Sequence, residues 1–129
     1  GNGVFTAVKE HGDAMVIGCD VDQFDDGVNG DENIVLSSAL KVMHLNVERQ
    51  LTAIAEDEFE GGNYTLGADT DSTGIVTEEG RHQMSDETVK ILEAVYELVK
   101  NGEIDPPNNF SETTVDDFEG LDVELDLED

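Results

Sequence analysis

An apolar run that stops at two carboxylates constrains this chain more than any other feature: Ala14-Met15-Val16-Ile17-Gly18-Cys19-Asp20-Val21-Asp22-Gln23. A short apolar run between turn signals, here Gly12-Asp13 before and Asp25-Asp26-Gly27 after, predicts a buried strand over 14–20. In open α/β sheets, ligands bind just outside the carboxyl ends of such strands, where side chains leave the core and meet solvent. Asp20 stands at that point. An acid there also serves simply to begin a soluble loop, so position alone assigns it no task.

The length of 129 residues suits one domain, and 37% hydrophobic residues with five Phe, two Tyr and no Trp allow only a thin core. No run approaches the ~18 apolar residues that span a bilayer, and no stretch reads as a secretory signal. The chain does not begin with Met, so Gly1 need not be its natural start. Charge is the extreme property: 32 acids against 6 bases, net −26. The acids are spread through loops and helix faces, a bias expected of a protein adapted to high salt, with self-repulsion weakening the compact state in dilute buffer. The same charge argues against nucleic acid, whose phosphates require a basic face, and against an anionic membrane surface. Cys19 is the single cysteine and forms no internal disulfide; inside an apolar strand it is expected to be a small buried hydrophobe.

Along the chain, Val4, Ala7, Val8 and His11 share helical spacing, and Gly12 is a natural stop. The order is thus helix then strand. A parallel α/β domain would place another strand before that helix, so the chain is expected to be truncated at its N-terminus. Residues 24–33 read as a polar loop. Ile34-Val35-Leu36 is a short apolar run breaking at Ser37-Ser38, and from Ala39 to Phe59 the positions Leu40, Met43, Val47, Leu51, Ile54 and Ala55 predict a long amphipathic helix ended by Gly61-Gly62. Residues 63–68 alternate like a strand, and 72–76 form a second short extended piece. Ser85 predicts an N-cap, with Asp86 and Glu87 complementing the dipole of a last helix that ends at Asn101-Gly102. The expected domain covers 1–107. Residues 108–129, with nine acids and no base, read as a flexible acidic tail.

Three chemistries compete for the acids. An apolar strand followed by Asp20-x-Asp22 resembles the nucleophile loop of haloacid-dehalogenase-like Mg-dependent phosphatases, with Asp20 phosphorylated and Asp22 as acid–base. Phe24 stands where that family has Thr or Val, and no later acidic pair follows. Asp69-x-Asp71-x-Thr73-Gly74 imitates the first half of an EF-hand loop, but position twelve is Gly80 and the bidentate acid is missing. The third reading makes Asp20 a ligand carboxylate in a cleft. Lys41, one of only four lysines, is predicted at the start of the long helix, near a strand end. A chain that has shed lysines almost everywhere has little reason to keep one there for solubility alone.

Three blocks then line up in order: Gly1-Asn2-Gly3-Val4-Phe5-Thr6-Ala7-Val8-Lys9-Glu10, Val16-Ile17-Gly18-Cys19-Asp20-Val21-Asp22-Gln23, and Val35-Leu36-Ser37-Ser38-Ala39-Leu40-Lys41. Together with Glu60-Gly61-Gly62, the Gly67–Gly74 region and Asn101-Gly102-Glu103-Ile104, they resemble the basic membrane lipoprotein family over about residues 1–107. Its members are purine-nucleoside-receptor-type substrate-binding proteins of ABC transporters. Cys19, Val21 and the long acidic 24–33 loop depart from the usual pattern, and the tail has no counterpart.

The resemblance implies one lobe of a type I periplasmic-binding-protein-like α/β fold, the C-terminal one, with a parallel sheet flanked by helices. It implies no enzyme and no cofactor or metal. It implies a small-molecule solute, a nucleoside, captured between this lobe and an N-terminal lobe absent from the chain. Delivery would be to ABC permease subunits, from an extracytoplasmic position anchored by an N-terminal lipid. Asp20 would accept hydrogen bonds from the two ribose hydroxyls, Lys41 would donate to the sugar, and amides around Gly1 and Gly3 would line the same edge. The chemistry is sound: an ionised carboxylate accepts both donors of a vicinal diol, and an ammonium nearby keeps it ionised.

Overall fold

The computed structural model describes residues 1–106; the acidic tail predicted over 108–129 lies outside them. The chain opens with helix α1, Asn2–His11, whose Phe5 is buried. Gly12 ends it in the left-handed region at φ 77°, its N–H donating to the Val8 carbonyl at 3.0 Å, a stop that glycine adopts at little cost. Strand β1, Val16–Asp20, follows as predicted.

The chain then makes a 3₁₀ turn, Phe24–Gly27, and a small hairpin of β2, Val28–Asn29, and β3, Glu32–Asn33. Residues 24–33, expected as a polar loop, therefore carry regular structure, with Gly30 at φ 67° turning the hairpin. Gly27 is buried where a side chain would meet Val35, and this lets the turn pack on the next strand.

Strand β4, Val35–Lys41, pairs parallel to β1 with Asp20 opposite Leu40. Here the structure corrects the expectation twice. The strand does not break at Ser37-Ser38, and Lys41 lies at its carboxyl end, not at the start of a helix. Serines interrupt a buried strand only if their hydroxyls go unpaired. Both are buried and satisfied: Ser37 Oγ donates to the Val76 carbonyl at 2.7 Å, and Ser38 Oγ accepts the Gln23 N–H at 3.1 Å.

Helix α2, Met43–Ala55, begins later and ends earlier than the predicted 39–59. Residues 63–68, expected to be extended, form no strand; Ala68–Thr70 is a 3₁₀ turn leading into β5, Thr73–Ile75. Strand β5 runs antiparallel to β4, Ala39 facing Ile75 and Lys41 facing Thr73. The mixed α/β class and the parallel pair are as expected, and β5 adds an antiparallel edge in the order β1-β4-β5. Helix α3, Asp86–Lys100, starts on Ser85, whose side chain accepts the Thr88 N–H, and Gly102 at φ 74° follows its end.

The core is small: Phe5, Val16, Ile34 and Val35, with Val8 and Phe24 packed against them. Only one face of β1 takes part. Val16 is buried while Ile17 is 63% exposed, and Cys19, two residues on, shares the outer face. Cys19 is therefore exposed, not buried as expected, because period-two alternation carries it away from the core. Helix α2 buries none of its residues, and Met43, Val47, Leu51 and Ile54 all point outward.

Candidate functional site

Two parallel strands that end level bring their terminal side chains to one edge. Asp20 closes β1, Lys41 closes β4, and the Lys41 ammonium lies 3.3 Å from Asp20 Oδ1. Both side chains are about half exposed, so the pair is open to an incoming solute. Asp20 has a backbone φ of 72°, a left-handed conformation unusual for a residue with a Cβ and best tolerated by Asn and Asp. The strand stops there because the chain turns sharply away.

That turn is held from several sides. The Cys19 N–H donates to Gln23 Oε1 at 2.9 Å, the Gln23 N–H to Ser38 Oγ, and Gln23 Nε2 to Asp26 Oδ2 at 3.1 Å. Gly18 makes the approach to β4 possible: a Cβ there would collide with Ser38 Oγ. The Ser38 hydroxyl is thus one of the ties between the turn and β4.

Asp22 has a different environment. Its Oδ1 accepts the Phe24 N–H at 2.9 Å and its Oδ2 accepts Arg81 Nε at 2.6 Å. Arg81 also grips Asp25 with both terminal nitrogens, at 2.8 and 3.2 Å, and lies 5.4 Å above the Phe24 ring. The Arg81 hydrogen bond holds the Asp22 carboxyl below the ordinary carboxylate range, with the Phe24 N–H adding to it against partial burial. The two carboxylates pair with different cations and do not form one centre, so the phosphatase reading gains nothing here. Among the described residues, no group of three or more His, Cys, Asp or Glu is arranged to hold a metal ion. Asp71, from the EF-hand-like stretch, is engaged by Lys100 at 2.6 Å.

Of the residues singled out in the sequence, Asp20 and Lys41 come together. Gly1 caps α1 without a side-chain bond, and Gly3 lies in the first helical turn. A Cβ built on either would meet nothing within 4 Å, so their backbone is open to solvent. Among the described residues no hydrogen bond joins them to the Asp20–Lys41 pair. A surface groove of about 850 Å³ lies elsewhere, at the amino end of β1, lined by Gly12, Met15, Asn33 and Gln83.

Arg81 and Gln23 escaped the sequence reading. For Arg81 a signal existed: it is one of two arginines, and the scarcity that singled out Lys41 applies to it equally. Gln23 gave none, because its importance lies in the turn it closes.

Residues 1–109 match the Bmp family, described as ABC transporter substrate-binding protein PnrA-like. No curated protein matches the chain. No helix among the described residues is long and apolar enough to cross a membrane. The parallel strand pair flanked by helices is consistent with a periplasmic-binding-protein-like domain. The match spans well over half of the sequence, and so the chain belongs to the Bmp family of PnrA-like ABC transporter substrate-binding proteins, extracytoplasmic transport components that bind a small solute and work with an ABC permease.

Proposed function

We propose that the solute is a nucleoside and that this chain is the C-terminal lobe of a two-lobed receptor anchored by an N-terminal lipid. The observation that carries the reading is the Asp20–Lys41 pair at the shared carboxyl edge of β1 and β4. A ribose offers two adjacent hydroxyl donors, and one carboxylate accepts both. The ammonium 3.3 Å away has donors to spare for a sugar oxygen. Open amides at Gly1 and Gly3, at the start of α1, suit further contacts, since the first helical turn leaves N–H groups unpaired. The pair lies on an exposed edge, which fits a cleft completed by an N-terminal lobe. The surplus of acids fits a high-salt environment.

The test is calorimetry on the full-length protein with adenosine, guanosine and uridine. Asp20→Asn is the sharper variant, because Asn tolerates the left-handed backbone at this position while removing the charge and one of the two acceptor oxygens. Hydrogen bonds to charged groups contribute about 1.5–3 kcal/mol each, so affinity should fall roughly tenfold to a hundredfold. Unchanged nucleoside affinity in Asp20→Asn would remove Asp20 from the site.

A further inference from the structure

The chain has six basic side chains, and three of them converge on the seven residues 20–26. Lys41 meets Asp20, Arg81 meets Asp22 and Asp25, and Lys9 Nζ donates to the Asp26 carbonyl at 2.8 Å. These residues carry four carboxylates in close succession, at 20, 22, 25 and 26, which repel one another along a tight turn. Of the three cations, Arg81 is the one that reaches two of the acids, and it does so from 59 and 56 residues away in sequence.

We propose that Arg81 is the positioning residue for the Asp20 carboxylate: by clamping Asp22 and Asp25 and covering Phe24, it fixes the turn that aims Asp20 at the solute. This rests on the reading of Asp20 as a ligand contact. The connection is short and physical. Asp22 is two residues beyond Asp20, and with both its oxygens engaged its backbone has a set direction. Asp20 in turn holds a left-handed conformation, unfavourable for a residue with a Cβ, that a free chain would leave. The Cys19–Gln23, Gln23–Ser38 and Asn33–Phe24 hydrogen bonds hold the same turn, but none of them engages the Asp22 or Asp25 carboxylate.

An isolated surface ion pair has little such influence. Arg81 differs on three counts. Its side chain is only 28% exposed, its grip on Asp25 is two-pronged, and the guanidinium lies over an aromatic ring that packs on the core. Planar, forked geometry of this kind is what lysine lacks.

The experiment is a double-mutant cycle of Arg81→Gln and Asp20→Asn in the full-length protein, read by calorimetry with adenosine and guanosine and by amide hydrogen exchange at Cys19 and Gln23. Arg81→Gln should weaken binding roughly tenfold, the scale of one charge-assisted bond, when Asp20 is present. It should add almost nothing in the Asp20→Asn background, because its effect passes through Asp20. Exchange at Cys19 and Gln23 should quicken at least several-fold while amides within α3 keep their rates, and Arg81→Lys should restore part of both readouts. An equal loss of affinity in the two backgrounds, or unchanged exchange at Cys19 and Gln23, would overturn the proposal. If neither nucleoside binds, or Asp20→Asn leaves affinity intact, the ligand reading fails and exchange alone decides: local quickening upholds the clamp, and none rejects it.

Discussion

The carboxyl edge of the β1–β4 pair and the outer face of α2 are built on opposite terms. At the edge, residues 20–26 engage cations from α1, from β4 and from the segment between β5 and α3. On α2, four large apolar side chains, Met43, Val47, Leu51 and Ile54, stand 47–61% exposed, and the helix is tied down mainly by polar groups. Arg49 donates to the Thr70 carbonyl at 2.6 Å, and Asn46 Oδ1 accepts from Ser72 Oγ at 2.9 Å. The difference teaches that apolar periodicity and burial are separate properties. A stripe at helical spacing predicts a helix, but not what covers it. Three of the six Lys and Arg side chains, by contrast, converge on residues 20–26.

Substitutions can break this contrast. Phe5→Ala empties the largest position of the small core and should cost about 3–5 kcal/mol, seen as a large fall in the urea midpoint. A cost under 1 kcal/mol would mean that the Phe5 cluster is not what holds the sheet. Next in size is salt. At net −26, screening should raise the melting temperature markedly between dilute buffer and molar KCl, because the Debye length falls from ~30 Å at 0.01 M to ~3 Å at 1 M. An identical midpoint in both would show that the acids are already compensated.

The Asp22–Arg81 contact should be smaller. Because the Asp22 pKa is lowered by folding, the stability it confers is present above the unfolded value near 3.9 and is lost as pH falls through the folded value. Asp22→Asn should therefore lose under about 1 kcal/mol at pH 7, partly exposed as the pair is, and less at pH 2. Urea midpoints at the two pH values read this directly, and an equal loss at both would point to shape and not charge. Smallest of all, Leu51→Ser on α2 should change stability of the 129-residue chain by less than about 0.5 kcal/mol. A loss near that of Phe5→Ala would show that the α2 stripe is covered after all.

What the sequence revealed follows the same division. Strand β1, the Gly12 stop and the Ser85 cap were legible because each depends on neighbours within a few residues. The run through Ser37-Ser38 was not, since those serines become strand residues only when Val76 and Gln23 arrive to pair with them. Lys41 was singled out correctly as a residue near Asp20 but placed on the wrong element, for the same reason. Cys19 was misread as buried because an apolar run does not say which face of a strand has a partner. The partners of Arg81 were out of view, being more than fifty residues distant.

The crossover between the parallel strands runs through residues 21–34 alone, a turn and a hairpin where α/β units commonly carry a helix. Closing so short a loop has a modest entropic penalty, and the contacts it makes are local. Both parallel strands thus lie in one contiguous stretch, residues 16–41, although Ser37 within it is satisfied only by the later Val76 carbonyl. Arg81 comes from much later in the chain, so during synthesis the residues of this edge are made first and the side chain that clips them follows only some forty residues after Lys41.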